Sequence, residues 1–460
     1  MSDESVPVGV TWRRLHPLSP VVRFGRLVVG LLVVAVPTLE ASRGGDPRSH
    51  SLTTSVIVWV SLLGVSMIAG VISWLVTRWR IGDGDLQIET GLIRRQSIRI
   101  PLARIQAVDI VAPLLGRVLG LAEVRVVSAG RGGEHGRLAY LTAAEATAAR
   151  ARLLALAHGL AAETPEPPAQ PLAVVDNGRL VLALTLRAGI AVPLLLMVAA
   201  VVVLVIAPRA GAVVLSTCVP ILFTSAVTIA RTFNEEFEFA VSEAGDGMRL
   251  DRGLLQRRHE TIPFGRIQAL RVVQPLLWRP MGWLRLEVDV ARQHGAQQSR
   301  DDPQRVARTL LPVAPQAEVL ALLSRVFPEA GVDPPPGAQP PPRARLKAPL
   351  SYHFLAAWHG ARYACARTGR LQAATVVVPL HKVQSVRLTS GPIQRRLRLA
   401  TVRADTAGQR WRASMRCRDA REAEAWLWEI SAKARLARRQ TAPPRRARVA
   451  APGVPGPVIA

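Results

Sequence analysis

The sequence predicts a multi-pass α-helical membrane protein with two transmembrane hairpins, which carries three all-β domains on the cytoplasmic side. Three observations lead to this fold class. Uncharged apolar runs occur in two pairs, and one 36-residue segment recurs three times. A mean hydropathy of +0.21 also accompanies a net charge of +26. A soluble protein this basic would be more hydrophilic, so apolar spans next to basic domains explain both values.

The composition excludes several classes of protein. Hydrophobic residues make up 49% of the 460 residues and charged residues 20%, so the chain as a whole is not disordered. Three cysteines cannot form a disulfide framework, and none has the CxxC spacing of a zinc or redox site. Of the 59 basic residues only three are lysines. This arginine bias has two open explanations, a GC-rich genome or attraction to anionic lipid or nucleic acid.

Four segments are predicted to span the bilayer, because each approaches the ~20 apolar residues that a transmembrane helix needs. They are residues 21–39, 53–76, 189–207 and 210–230. The first is the weakest, since its uncharged core has only 13 residues. A cleaved signal peptide is the alternative for that segment.

The arginines next to these spans predict their orientation. Twelve lie near the presumed inner ends and three in the outer connections, which places the N-terminal residues 1–20 and all large segments in the cytoplasm. The centres of the spans contain no charged residue or histidine. Ion and proton pathways usually need such groups, so a transporter or channel is not expected.

The 36-residue repeat begins at a glycine and aligns without a gap in all three copies. A proline follows ten residues after the glycine, a glutamine at fifteen and an arginine at twenty-six. The motif residues are Gly91, Pro101, Gln106 and Arg117; Gly253, Pro263, Gln268 and Arg279; and Gly369, Pro379, Gln384 and Arg395. These fixed offsets indicate one domain that occurs three times.

Each repeat is predicted to be antiparallel β-structure closed by a helix. Apolar and polar residues alternate at Leu86 and Ile88 and again at Val124 and Val126, which is typical of strands. The repeat glycine permits a turn between two strands. Thr142-Ala-Ala-Glu145 is a capping box that opens a helix, and residues 419–422 and 315–326 play the same part in the other copies. Each domain is therefore expected to be an antiparallel sandwich or barrel capped by a C-terminal helix.

Residues 378–386 and 391–408 closely resemble the bacterial pleckstrin-homology-like (PH) domain, of the type found in membrane proteins called YdbS and YdbT. The segment Leu-His-Pro-Leu-Ser-Pro before the first span is similar to YdbT-type members. The resemblance implies two near-orthogonal antiparallel sheets capped by a helix and no particular biochemical activity. The chain departs from the pattern in three ways. The third copy has no transmembrane hairpin of its own, its first strands (residues 352–366) are atypical, and Arg398 replaces a glycine found in the first two copies.

The spans, repeats and linkers give a predicted domain order. The three PH-like domains cover residues 77–160, 231–327 and 350–435. Residues 161–180 and the proline-rich 328–349 are linkers, the second a semi-rigid spacer. The basic tail 436–460 cannot bury a core and is predicted to be disordered, either simply solvated or touching the anionic inner leaflet.

No catalytic, cofactor-binding or metal-binding residues are predicted. The sequence has no GxSxG, P-loop or HExxH motif and no GxGxxG after a strand. The motif residues are interpreted as structural, because a residue that recurs in repeats usually reports what the fold requires. The repeat arginines have an alternative role as phosphate contacts.

The leading hypothesis is a non-enzymatic protein of the bacterial cell (inner) membrane. Its cytoplasmic PH-like domains would mediate protein–protein interaction or self-assembly at the inner leaflet. The alternative is sensing or handling of anionic lipid headgroups. The expected partners are anionic inner-leaflet lipids and an unknown protein partner or a second copy of the chain. No cofactor and no nucleic acid are expected.

Overall fold

The computed structural model describes most of the 460-residue chain. The described residues are 12–22, 52–82, 84–91, 95–128, 136–157, 159–161, 164, 170–245, 247–291, 307–408 and 410–441. The chain divides into two compact units. Unit 1 comprises Met1–Ile267, Leu277–Glu287 and Arg292–Leu322, and unit 2 comprises Gln268–Leu276, Val288–Ala291 and Leu323–Ala460.

The first repeat contributes seven antiparallel strands and three helices to unit 1. They are α1 (Leu52–Val76), β1 (Arg13–Arg14), β2 (Arg78–Ile81), β3 (Asp85–Thr90), β4 (Gln96–Pro101), β5 (Ile105–Pro113), α2 (Leu114–Val118), β6 (Leu121–Ser128), β7 (Gly136–Thr142) and α3 (Ala143–Ala157). Strands β1-β2-β3-β4 form one sheet, and β5, β6 and β7 lie together in another. Leu86, Ile88, Val124 and Val126 are all buried in one core, so the predicted alternation is confirmed.

The helix α3 closes this core because its first turn is capped as predicted. The Glu145 carboxylate accepts the Thr142 backbone N–H at 3.1 Å, and the Thr142 hydroxyl accepts the Glu145 backbone N–H at 3.2 Å. These two bonds satisfy N–H groups that a helix start otherwise leaves unpaired. Leu153, two turns into the helix, is fully buried against the sheets.

The second repeat begins in unit 1 and its first strands join the second sheet of the first repeat. The elements are β8 (Gln170–Val174), α4 (Asn177–Thr185), α5 (Ala188–Ile206), α6 (Pro208–Glu236), β9 (Ala240–Ala244), β10 (Gly247–Arg252) and β11 (Gln256–Pro263). The resulting seven-stranded sheet has the order β7-β6-β5-β11-β10-β9-β8. Two successive repeats therefore share one continuous sheet. The repeat continues with β12 (Ile267–Pro275), β13 (Trp283–Val290), β14 (Ala307–Pro315) and α7 (Gln316–Val326).

The third repeat forms the bulk of unit 2. Its elements are β15 (Ala356–His359), β16 (Tyr363–Thr368), β17 (Gln372–Pro379), β18 (Val383–Thr389), α8 (Pro392–Arg396), β19 (Leu399–Thr406), β20 (Ala413–Asp419) and α9 (Ala420–Thr441). In unit 2, β12 pairs with β17, which is followed by β16 and β15, while β18-β19-β20 form a separate sheet. The helix α9 packs on this sheet through Ala423, Ile430 and Ala434, which are buried.

A β-hairpin opens the strands of the third repeat, within the segment predicted to be atypical. Strands β15 and β16 pair antiparallel, with Trp358 opposite Cys365. The backbone N–H of Gly360 closes their turn by donating to the Tyr363 carbonyl at 2.9 Å. The third repeat therefore has a counterpart of each strand from β9 to β14 of the second.

The predicted fold class is wrong in its membrane part. Strands in four sheets dominate the structure, and within the described residues only Ser216–Glu236 of α6 is long and apolar enough to cross a bilayer. The apolar segments of the other helices, Val60–Val76 and Leu195–Ile206, are shorter. Two transmembrane hairpins are therefore not found, and all but the first two residues of the segment 21–39 lie outside the described residues.

The proline-rich linker, predicted to be a semi-rigid spacer, contacts the third repeat. The Arg418 guanidinium donates to the carbonyls of Ala338 and Gln339, both at 2.8 Å, and the Tyr352 hydroxyl donates to the Pro340 carbonyl at 3.0 Å. These bonds fix the linker on the third repeat. The predicted tail also begins later, because α9 continues to Thr441. Residues 442–460 lie outside the described part of the chain.

Candidate functional site

The repeat glycines occupy turns that other residues would not tolerate. Gly91, Gly253 and Gly369 have φ angles of +97°, +110° and +100°. A Cβ atom would lie 2.1 Å from the Gln256 carbonyl oxygen at Gly253 and 2.0 Å from the Gln372 carbonyl oxygen at Gly369. Positive φ and this close approach both require glycine. These residues serve the fold.

The repeat prolines occupy one structural position in all three copies. Pro101, Pro263 and Pro379 each end a strand and precede a single turn of 3-10 helix. A proline has no N–H to leave unpaired at such a helix start, and its fixed φ suits the position. The three turns are Leu102–Arg104, Phe264–Arg266 and Leu380–Lys382.

The repeat glutamines do not share one environment. Gln268 is buried, with 6% of its surface exposed, whereas Gln384 is exposed. The side chain of Gln106 lies outside the described part of the structure. The two described glutamine side chains therefore differ in burial.

The repeat arginines have a shared backbone position and different side-chain environments. Each lies in the short helical segment after β5, β12 or β18, and its carbonyl accepts the N–H of the residue three positions later at 3.0–3.1 Å. The Arg117 guanidinium donates to the Leu254 carbonyl at 2.9 Å, in the glycine turn of the next repeat. Arg279 is half-buried and Arg395 is exposed. The side chain of Arg117 thus links two repeats, a role that sequence spacing alone does not show.

Strand pairing between repeats uses the same register twice. In unit 1, β5 pairs antiparallel with β11, and Pro113 lies opposite Gln256. In unit 2, β12 pairs antiparallel with β17, and Pro275 lies opposite Gln372. In both cases the residue 22 positions after one repeat glycine faces the residue three positions after the next glycine. The two contacts are therefore structural copies of each other.

A basic cleft lies on the third repeat and was not predicted from the sequence. Its cationic side chains are Lys347, Arg403 and Arg416, and no acidic residue lines it among the described residues. Gln394 and Thr401 also line the cleft, where the Gln394 amide donates to the Thr401 hydroxyl at 3.0 Å. Three cations that converge without a carboxylate suit an anionic ligand. They come from segments up to 69 positions apart, so sequence proximity gives no signal of them.

A buried charge network in unit 1, centred on Arg285, is structural. Arg285 contacts the Glu236 carboxylate through both terminal nitrogens, at 2.5 and 3.2 Å, and also donates to the Thr309 hydroxyl at 2.6 Å. Burial lowers the pKa of Arg285, but the carboxylates of Glu236 and Glu287 raise it to a net value above the ordinary one. The guanidinium is therefore permanently charged and fully bonded, which favours a structural role over a chemical one.

The cysteines are poorly placed for chemistry. Cys218, Cys365 and Cys417 are all buried and form no disulfide. Burial raises the pKa of the Cys365 thiol to about 12. A thiol reacts as its thiolate, so Cys365 is unreactive at neutral pH. Among the described residues, no group of three or more His, Cys, Asp or Glu side chains could hold a metal ion.

Comparison with known families identifies the repeated unit. The family model of the bacterial PH domain matches residues 27–157, 181–326 and 346–434, one match for each repeat. No curated protein and no solved structure matches the chain. The three matches cover most of the sequence and coincide with the repeated strands and closing helices. The chain belongs to the bacterial PH domain family.

Proposed function

We propose that this protein is a non-enzymatic scaffold at the inner face of the bacterial cell membrane, with PH-like domains that bind a protein partner or one another. The observation that carries the proposal is the strand pairing of successive repeats, β5 with β11 and β12 with β17. This pairing joins strands of successive repeats through backbone hydrogen bonds, as a binding array requires. PH-like domains present sheet edges and loops to partners, and no chemistry by a nucleophile or metal is needed for that role.

The membrane location is supported by apolar side chains that the fold leaves uncovered. Large exposed hydrophobic residues concentrate on α1, α5 and α6, such as Val65 (65% exposed), Leu195 (70%), Val205 (79%) and Phe223 (70%). A soluble monomer rarely exposes apolar patches of this extent. In the proposal α6 anchors the chain in the bilayer, the apolar sides of α1 and α5 contact lipid, and the basic domains face the anionic cytoplasmic leaflet. The same proposal includes a domain organisation like that of the YdbT-type members of the family.

Membrane anchoring is tested by placing a charge on the apolar helix. Phe223→Lys should lower the fraction of the chain that stays in the membrane pellet after a high-salt wash, since a lysine at the centre of a span costs ~2.5–3.5 kcal/mol. Leu346→Lys is the matched control, because Leu346 is 75% exposed and lies in the linker before the third repeat. Recovery of the unmodified chain in the soluble fraction would contradict the membrane location.

Partner binding is tested by affinity purification of the full-length protein in mild detergent. The proposal predicts that the same protein, or an additional copy of this chain, co-purifies in independent preparations. Preparations that yield only the monomeric chain at all detergent concentrations would count against the scaffold function.

The basic cleft favours a second candidate function, recognition of anionic lipid headgroups. Full-length protein in neutral-lipid nanodiscs should capture fluorescent phosphatidylglycerol vesicles at low salt and release them at high salt. The double variant Arg403→Gln/Arg416→Gln should weaken this capture. Arg410→Gln/Arg421→Gln removes the same charge from exposed positions outside the cleft lining and is the control. Equal losses in the two variants would indicate net charge as the cause and would contradict a specific headgroup site.

A further inference from the structure

Two kinds of strand edge take part in the contacts between repeats. We define the forward edge as the outer edge of β5, β12 or β18, and the backward edge as the outer edge of β4, β11 or β17. The forward edge of the first repeat pairs with the backward edge of the second, and the forward edge of the second pairs with the backward edge of the third. The forward edge of β18 and the backward edge of β4 take part in neither contact.

The two remaining edges end their sheets. Strand β18 is the first strand of the sheet β18-β19-β20, and β4 is the last of β1-β2-β3-β4. In the described part of the chain no strand pairs with either outer edge. Open strand edges present unpaired N–H and C=O groups, which readily accept another strand.

The burial of β18 differs from that of its counterparts in the other repeats. Residues of β5 and β12 are mostly buried, whereas Gln384, Ser385, Arg387 and Leu388 of β18 are exposed. The same strand of the fold is therefore covered when a following repeat exists and open when none follows.

We propose that the forward edge β18 of one molecule pairs antiparallel with the backward edge β4 of a second copy, in the register that the chain already uses twice. This inference deepens the proposed scaffold function and rests on it. The register places Ser97 opposite Leu388, Ile98 opposite Arg387 and Arg99 opposite Val386, because each pair has the same repeat offsets as the two internal contacts. The array of repeats then continues from molecule to molecule.

Charge and polar contacts are compatible with this pairing. Arg387, which would face Ile98, already contacts the Asp405 carboxylate at 2.9 Å, so its charge is compensated. Arg395 offers a second contact. Its equivalent Arg117 donates to the glycine turn of the next repeat, while the exposed Arg395 guanidinium has no partner among the described residues.

A second copy of the chain is the occupant that the structure supports best. Both edges belong to one sequence, and each has a working counterpart inside the chain with the same register. A contact between two different edges is heterologous, so it leaves one edge of each kind free and propagates head to tail. Only about five residue pairs take part, so the affinity in solution is modest, and confinement to a membrane raises the effective concentration.

Disulfide trapping tests the register directly. Ser97→Cys and Leu388→Cys are placed in separate full-length chains, mixed in mild detergent and oxidised. Opposite residues of antiparallel strands have Cα atoms ~4.5–5.5 Å apart, within the range of a disulfide. The mixture should give a crosslinked dimer. A double variant, with Ser97→Cys and Leu388→Cys in one chain, should give a ladder of multimers. Leu346→Cys replaces Leu388→Cys in the control and should give no dimer with Ser97→Cys. A double variant that crosslinks only within one molecule, or not at all, would overturn the inference.

A charge exchange tests the energetics of the same pair. Leu388→Lys should weaken self-association in sedimentation velocity by up to about fivefold, and Ser97→Glu in the partner should restore it. No restoration by Ser97→Glu would overturn the register. A chain that stays monomeric and still captures another protein in mild detergent would overturn this inference and leave the scaffold function standing.

Discussion

The carbonyl oxygen of Arg398 accepts a hydrogen bond from the backbone N–H of Ala420 at 3.0 Å, and so connects the turn before β19 to the first residue of the closing helix. The equivalent bonds in the other repeats join Ala143 to Gly120 at 2.8 Å and Gln316 to Gly282 at 3.0 Å. All three acceptor residues have positive φ. At Arg398 φ is +51°, in the left-handed region although the residue is not a glycine. The third repeat therefore keeps the conformation of the other two although it lacks their glycine.

Arg398→Gly is expected to stabilise the third repeat by ~1 kcal/mol, because a residue with a Cβ atom is strained in the left-handed conformation. Hydrogen-exchange protection of the α9 amides in the full-length protein measures this local stability. Arg396→Gly is the control, since Arg396 lies in α8 and glycine there should lower protection. Reduced protection in Arg398→Gly would show that the stability gained from the arginine side chain exceeds the stability lost to its backbone strain.

Loss of the buried Arg285–Glu236 pair should destabilise unit 1 strongly. Arg285→Ala leaves the Glu236 carboxylate buried without its partner, for which ~3–5 kcal/mol is expected. Arg257→Ala removes an arginine from the exposed Arg257–Glu238 pair in the same unit and should cost at most ~1 kcal/mol. Urea unfolding of both variants gives the comparison. Similar losses in the two would be inconsistent with a structural role for the buried pair.

Trp426 on the inner side of α9 is expected to be essential for closing the third repeat. Its ring lies edge-on to His359 at 5.0 Å between centroids and beneath the Arg418 guanidinium at 4.7 Å. Trp426→Asp should therefore destabilise the repeat by ~2–3 kcal/mol, through lost packing and a poorly solvated charge. Trp428 on the same helix is 67% exposed, so Trp428→Asp should change stability by less than ~0.5 kcal/mol. Thermal unfolding followed by circular dichroism distinguishes the two variants, and equal effects would contradict the packing of α9.

The stability of unit 2 should fall at alkaline pH because of Cys365. Burial raises the pKa of its thiol from the ordinary value of 9.0 to about 12, so the folded state keeps the proton after the unfolded state has lost it. Fewer protons bound in the unfolded state mean that unfolding becomes easier as pH rises above ~9. Urea unfolding at pH 8 and pH 10.5 should show a smaller loss for Cys365→Ala than for the unmodified chain. Identical losses in both proteins would show that other groups cause the alkaline instability.

The candidate surfaces were predictable from the sequence only in part. The recurring glycines and prolines predict turns and strand ends because their backbone restrictions act locally. The basic cleft was not predictable, since Lys347, Arg403 and Arg416 meet only after the linker folds against β19 and β20. The linker itself is held by Arg418, a contact over about 80 positions that composition does not indicate.

The sequence by itself determined the threefold repeat, the strand alternation and the capped closing helix of the first repeat, all of which depend on neighbouring residues. Tertiary structure alone decided that β5 pairs with β11 and β12 with β17, because an edge strand can accept any strand of suitable register. For the apolar runs, the sequence predicted four spans, and the described residues contain one helix that is long and apolar enough to cross a bilayer. A span requires one helix that stays apolar over ~20 residues, which composition by itself does not establish.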